Sequence, residues 1–169
     1  SCRVEAAGCR AYAGAEAGNT LSVFRATGDI TTDISGADQS TESILVGDRS
    51  YRMDAGAGRS QTISMVFPST ATGLYRVSFW MKGSAPTSLG VQVATEGNTN
   101  PQSVGTVRVT TEWQQVNLGL FNGQVGAKSR LNFTVAGPTA TPVAFFLDEV
   151  SVLQSRDVDT FPKRDKAKA

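Results

Sequence analysis

The ten residues LYRVSFWMKG, Leu74 to Gly83, contain the side chain best suited to grip a flat ligand. Read as a strand, they alternate between two faces. Tyr75, Val77, Phe79 and Met81 form an apolar face, and Arg76, Ser78, Trp80 and Lys82 form the other. A tryptophan among polar neighbours can stack its ring on a ligand whose edges the neighbours hydrogen-bond. Base stacking on aromatic rings is worth roughly 1–3 kcal/mol per ring, and the C–H patch of a sugar offers similar physics. Gln92, Gln115 and Asn117 are outward-facing polar residues on strands that could share the sheet, and with Arg76 they are candidate companions of Trp80. The competing reading is that a loop covers this face and Trp80 packs, since tryptophan is usually largely buried. Trp113 is in phase with Gln115 and Asn117, so alternation would make it a second platform, against which stands core or edge packing.

Asp148 and Glu149 are adjacent on an expected strand and so point to opposite faces. They cannot flank one glycosidic bond as an acid and base pair. In FFLDEVSVL, alternation puts Asp148 with Phe146, Val150 and Val152. A carboxylate among apolar side chains needs a partner. A calcium ion, backbone N–H groups and an arginine are three candidates. The chain has no histidine, which excludes Ser-His-Asp and Cys-His catalysis and histidine zinc sites. GAGRSQ at Gly56 lacks the third glycine and the strand-turn-helix setting of a dinucleotide fingerprint.

The elements that must position these residues are strands. No helical period persists, and short β-rich runs alternate with Gly, Pro, Asn, Asp and Ser clusters every ~8–12 residues, as in sandwiches and barrels. TLSVFRAT, GDRSYRMDAG, SQTISMVF, LYRVSFWMKG, LGVQVATE, TVRVTT, WQQVNLGLF, RLNFTVAG and VAFFLDEVSVL are the expected strands, and GNTNPQSVG is a polar loop. The prediction is an all-β chain folded as an antiparallel β-sandwich of jelly-roll type. Its expected organisation is an N-terminal segment over 1–18, a sandwich over 19–153 and a polar, basic tail over 154–169. The chain holds 16 basic and 15 acidic residues, so no net field directs it to nucleic acid or an anionic membrane. No apolar run is long enough to span a bilayer.

Three strands in order, GLYRVSFWMKG, VTTEWQQVNL and FFLDEVSVL, resemble the jelly-roll carbohydrate-binding modules of glycoside hydrolases, especially the cellulose- and xylan-binding families four, nine and twenty-two. The resemblance covers roughly Thr41 to Leu153. It implies a non-catalytic module that holds a polysaccharide on a sheet face or at the sandwich edge, where Asn98 and Asn100 are loop candidates. It also implies a structural calcium partly held by Asp148. The N-terminal stretch SCRVEAAGCRAYAGAEAG departs from the family opening that supplies other ligands, and Glu5 is its one local candidate. Cys2 and Cys9 are spaced for a small disulfide loop, with two free thiols as the alternative. The disulfide and the Asn132-Phe133-Thr134 sequon suit a secreted protein, and the module is expected to be appended to a larger one. Lys163-Arg164 reads as tail solvation or a processing site. The alternative function is an extracellular structural or adhesion sandwich, wall-associated or part of an assembly, without a sugar site.

Overall fold

The computed structural model describes residues 20–31, 33–56, 58–68, 73–96, 100–123, 128–137 and 141–155. They form eleven strands: β1 (Thr20–Ala26), β2 (Ile34–Ser35), β3 (Asp38–Ser40), β4 (Ser50–Ala55), β5 (Gln61–Pro68), β6 (Gly73–Gly83), β7 (Thr87–Thr95), β8 (Gln102–Val109), β9 (Gln114–Gly123), β10 (Lys128–Val135) and β11 (Val143–Ser155). A six-stranded sheet has the order β3-β4-β11-β6-β9, with β1 also on β11. A five-stranded sheet has the order β2-β5-β10-β7-β8. Neighbours are antiparallel throughout. This is the expected all-β sandwich.

The core lies between the sheets, where alternation places it. Tyr75, Val77, Phe79 and Met81 from β6 are fully buried, as are Ile63 and Met65 from β5 and Leu131, Phe133 and Val135 from β10. Phe79 meets Phe133 edge to face across the two sheets at 5.0 Å, a geometry the aromatic quadrupole favours.

Two lengths depart from the sequence reading. β8 starts at Gln102, inside the expected polar loop, because Gln102 and Ser103 pair with Val93 and Gln92. β11 runs to Ser155, two residues past the expected strand end at Leu153, because β1 and β6 hold it from both sides and Gln154 is buried.

One departure changes side-chain phase. The register of β11 slips between Asp148 and Ser151, and Glu149 has φ of 51°. A residue in this left-handed region inserts a bulge and shifts the alternation by one. Phe145, Leu147, Val150 and Val152 consequently all join the core. Asp148 therefore shares its face with Phe146, as expected, but not with Val150 or Val152.

The bulge lies where β11 changes partners. β4 pairs with Val143 to Leu147, and β1 pairs with Val150 to Ser155 along the same edge. The chain leaves β1 at Ala26, makes β2 and β3, and returns as β4 at Ser50.

Candidate functional site

On the outer face of the six-stranded sheet, Trp80 of β6 lies opposite Gln115 of β9 on one side and Asp148 of β11 on the other. Ser78 lies opposite Asn117. Gln115, Asn117 and Arg76 are exposed, while Trp80, Ser78 and Lys82 are half-buried. Phe146 also lies on this side, nearly buried, with the Arg52 guanidinium 5.8 Å from its ring centre. Four of the five predicted sugar contacts, Trp80, Arg76, Gln115 and Asn117, therefore share a surface.

Gln92 is the fifth, and the structure separates it from the others. It lies on β7 in the five-stranded sheet, so its side chain leaves the opposite side of the molecule. Outward phase is readable from sequence, but sheet membership depends on strand order.

The face that carries Gln92 is laid out in rows. Ser35, Ser64, Asn132, Gln92 and Ser103 stand in register across all five strands. The next row is Thr62, Thr134, Gly90 and Thr106, and on the other side stand Val66, Arg130 and Ala94. At about 4.8 Å per strand, a full row spans about 19 Å. Ser64 Oγ donates to Asn132 Oδ1 at 2.7 Å, and the Thr62 and Thr134 hydroxyls are 2.8 Å apart.

Two shallow grooves flank the central row. One, about 310 Å³, is lined by Ser60, Ser88, Gly90, Gln92, Thr106, Thr134 and Ala136. The other, about 360 Å³, includes Asp33, Val66, Ala94, Glu96, Lys128 and Arg130. Small side chains at 88, 90 and 94 leave room, and hydroxyl and amide groups supply both donors and acceptors. The strands of this sheet carry no outward aromatic residue. This combination was missed in the sequence because Ser, Thr and Gly on strands read as ordinary solvent-facing residues.

The family profile described as "Carbohydrate binding domain" (CBM_4_9) matches residues 13–141 of this chain. The chain belongs to the carbohydrate binding domain family. Solved structures agree in fold. The CBM22-1 xylan-binding domain of Xyn10C from Paenibacillus barcinonensis superposes with a TM-score of 0.60 at 17% identity, covering 82% of this chain and 97% of that one. The module CBM6cm-2 from Cellvibrio mixtus lichenase 5A, solved with cellotriose, gives 0.56 at 14% identity, covering 80% and 100%. TmCBM61, solved with β-1,4-galactotriose, gives 0.54 at 19% identity, covering 72% and 87%. No curated protein gives a significant sequence match. The carbohydrate-binding reading of the sequence thus stands, as does the jelly-roll fold.

In this carbohydrate-binding domain the terminal-strand carboxylate, Asp148, is fully buried. It accepts backbone N–H bonds from Gly28 at 3.1 Å and Glu149 at 2.9 Å on Oδ1, and from Val46 at 3.2 Å on Oδ2. The nearby Tyr51 hydroxyl donates to the Thr27 carbonyl and, at 2.6 Å, to the Ile30 carbonyl. Burial raises the Tyr51 pKa, and the charges of Asp148 and Asp29 raise it further, so the hydroxyl keeps its proton.

These surroundings do not fit the implied calcium. Calcium takes six to eight oxygen ligands, whereas three N–H donors point at this carboxylate. Among the described residues no group of three acidic side chains could hold a metal. Backbone N–H groups, one of the three partners open to Asp148 from the sequence, hydrogen-bond both of its carboxylate oxygens.

Glu5, Cys2, Cys9, Asn98 and Lys163-Arg164 lie outside the described residues. Asn100 is exposed. Trp113 is half-buried between β8 and β9.

Proposed function

We propose that this module is non-catalytic and holds a polysaccharide chain across the outer face of its five-stranded sheet. The observation that carries this reading is the in-register row Ser35, Ser64, Asn132, Gln92 and Ser103, flanked by two grooves. A glycan presents hydroxyls along its length, and such a row offers alternating donors and acceptors to them. Gln92 and Asn132 are the central contacts, because a primary amide can both donate and accept. In this reading the module is secreted and appended to a larger protein that works on polysaccharide, and Cys2 and Cys9 would be oxidised to a disulfide in that compartment.

The half-buried Trp80 ring, with exposed Gln115, Asn117 and Arg76 beside it, favours a second reading in which the glycan stacks on the six-stranded sheet. Affinity electrophoresis against soluble β-glucans, xylans, mannans and alginate separates the two. The Gln92→Ala/Asn132→Ala double variant is expected to lose retardation by about tenfold or more, while Trp80→Ala keeps it. Loss in Trp80→Ala alone would move the site to the six-stranded sheet. No retardation of the folded protein by any glycan, including an acidic one, would favour the structural sandwich.

A further inference from the structure

We infer that the glycan held by this module carries carboxylate groups, read by Arg130. This rests on the five-stranded face being the binding face. The strands of that sheet contain three charged residues, Arg108, Lys128 and Arg130, and no Asp or Glu. All three are exposed. Arg130 stands on the central strand β10, one row from the Asn132 and Gln92 row, between the small outward side chains of Val66 and Ala94. These flanking side chains are too short and apolar to pair with it.

Asp33 and Glu96 line this groove as well, from the turns at its end, so two carboxylates share it with Arg130 and Lys128. Neither forms an ion pair with Arg130 or Lys128. Among the described residues the ion pairs are Arg25 with Glu149 and Arg52 with Glu42 and Asp54, all on the six-stranded sheet or its loops. The charges of one face are thus partly tied up in ion pairs, while Arg130 and Lys128 share their groove with two acids yet pair with neither, which leaves the Arg130 guanidinium open to an external carboxylate. A guanidinium offers a fork of donors matched to a carboxylate, and such bonds are about twice as strong as neutral ones. The chemical class is a uronic-acid-bearing polysaccharide. Its hydroxyls would lie along the neutral row and its carboxylate at the Arg130 groove.

The test is titration calorimetry with glucuronoxylan, polygalacturonate and alginate, each beside its carboxyl-reduced form, and with neutral β-glucan. The proteins are wild type, Arg130→Ala, Gln92→Ala and an Arg76→Ala/Lys82→Ala pair, each checked for folding by near-ultraviolet circular dichroism. At least one acidic polymer is expected to bind roughly tenfold or more tightly than its reduced form. Arg130→Ala should erase that difference, Gln92→Ala should weaken both forms, and added salt should weaken the acidic form selectively. Equal binding of native and reduced forms, both weakened by Gln92→Ala, would overturn the carboxylate inference and leave the groove standing. Binding only to neutral glucan would do the same. An acidic preference kept in Arg130→Ala but lost in the Arg76/Lys82 pair would overturn both.

Discussion

A 3.1 Å hydrogen bond from the Gly28 backbone N–H to Asp148 Oδ1 joins residues 120 positions apart. It closes the junction at which β11 exchanges β4 for β1. The two strands leave a gap opposite the bulge, and the Asp148 carboxylate fills it by collecting N–H groups that no strand pairs. Gly28 itself is required there, since a Cβ would lie 2.0 Å from the Arg49 carbonyl oxygen.

Asp148→Ala is accordingly expected to destabilise the sandwich by about 2–4 kcal/mol, because buried N–H donors lose their carboxylate acceptor. For a domain of this size that lowers the melting temperature by roughly 5–15 °C. Asp148→Asn keeps one acceptor oxygen and should cost less. Calorimetry of the two variants checks the order, and equal melting of Asp148→Ala and wild type would remove the carboxylate from the account of this junction.

The same geometry predicts indifference to calcium. Thermal melts in millimolar calcium and in chelator are expected to coincide, since backbone N–H groups rather than oxygen ligands surround Asp148. A rise in melting temperature that saturates with calcium would show that the carboxylate reorganises around the ion.

Tyr51 gives an alkaline signature. Its folded-state pKa is raised above the ordinary value of 10.0 by burial and then by Asp148 and Asp29. Above about pH 10 the unfolded phenol releases its proton while the folded one retains it, so the unfolded state binds fewer protons and stability falls as pH rises. Tyr51→Phe should be less stable at neutral pH by about 1–2 kcal/mol, since the Ile30 carbonyl loses its phenol donor and the Thr27 carbonyl keeps only the Ile30 N–H. It should also lose part of the alkaline decline. Urea unfolding of both proteins at neutral pH and above pH 10 measures this, and identical alkaline slopes would mean that Tyr51 does not titrate across folding.

Much of the sandwich was legible in the chain because strand alternation is local. Tyr75 to Met81, Leu89 to Val93 and Leu131 to Val135 each announce a core face by period two, and burial follows that period. The same rule showed that Arg76, Trp80, Gln92, Gln115 and Asn117 face outward. It could not show which of them meet. Trp80 and Gln115 become neighbours because β6 and β9 pair, and Gln92 parts from them because β7 belongs to the other sheet. The β11 bulge was equally hidden. A single residue at positive φ reverses the phase of everything after it, and Glu149 lies where β11 exchanges β4 for β1, a long-range pairing that no local pattern encodes. Composition and period two thus determined the all-β class, the core and the outward set from local chain geometry. The polar row over five strands, the grooves beside it and the amide-filled Asp148 junction were decided by tertiary structure, because each is made of residues brought together only by strand pairing.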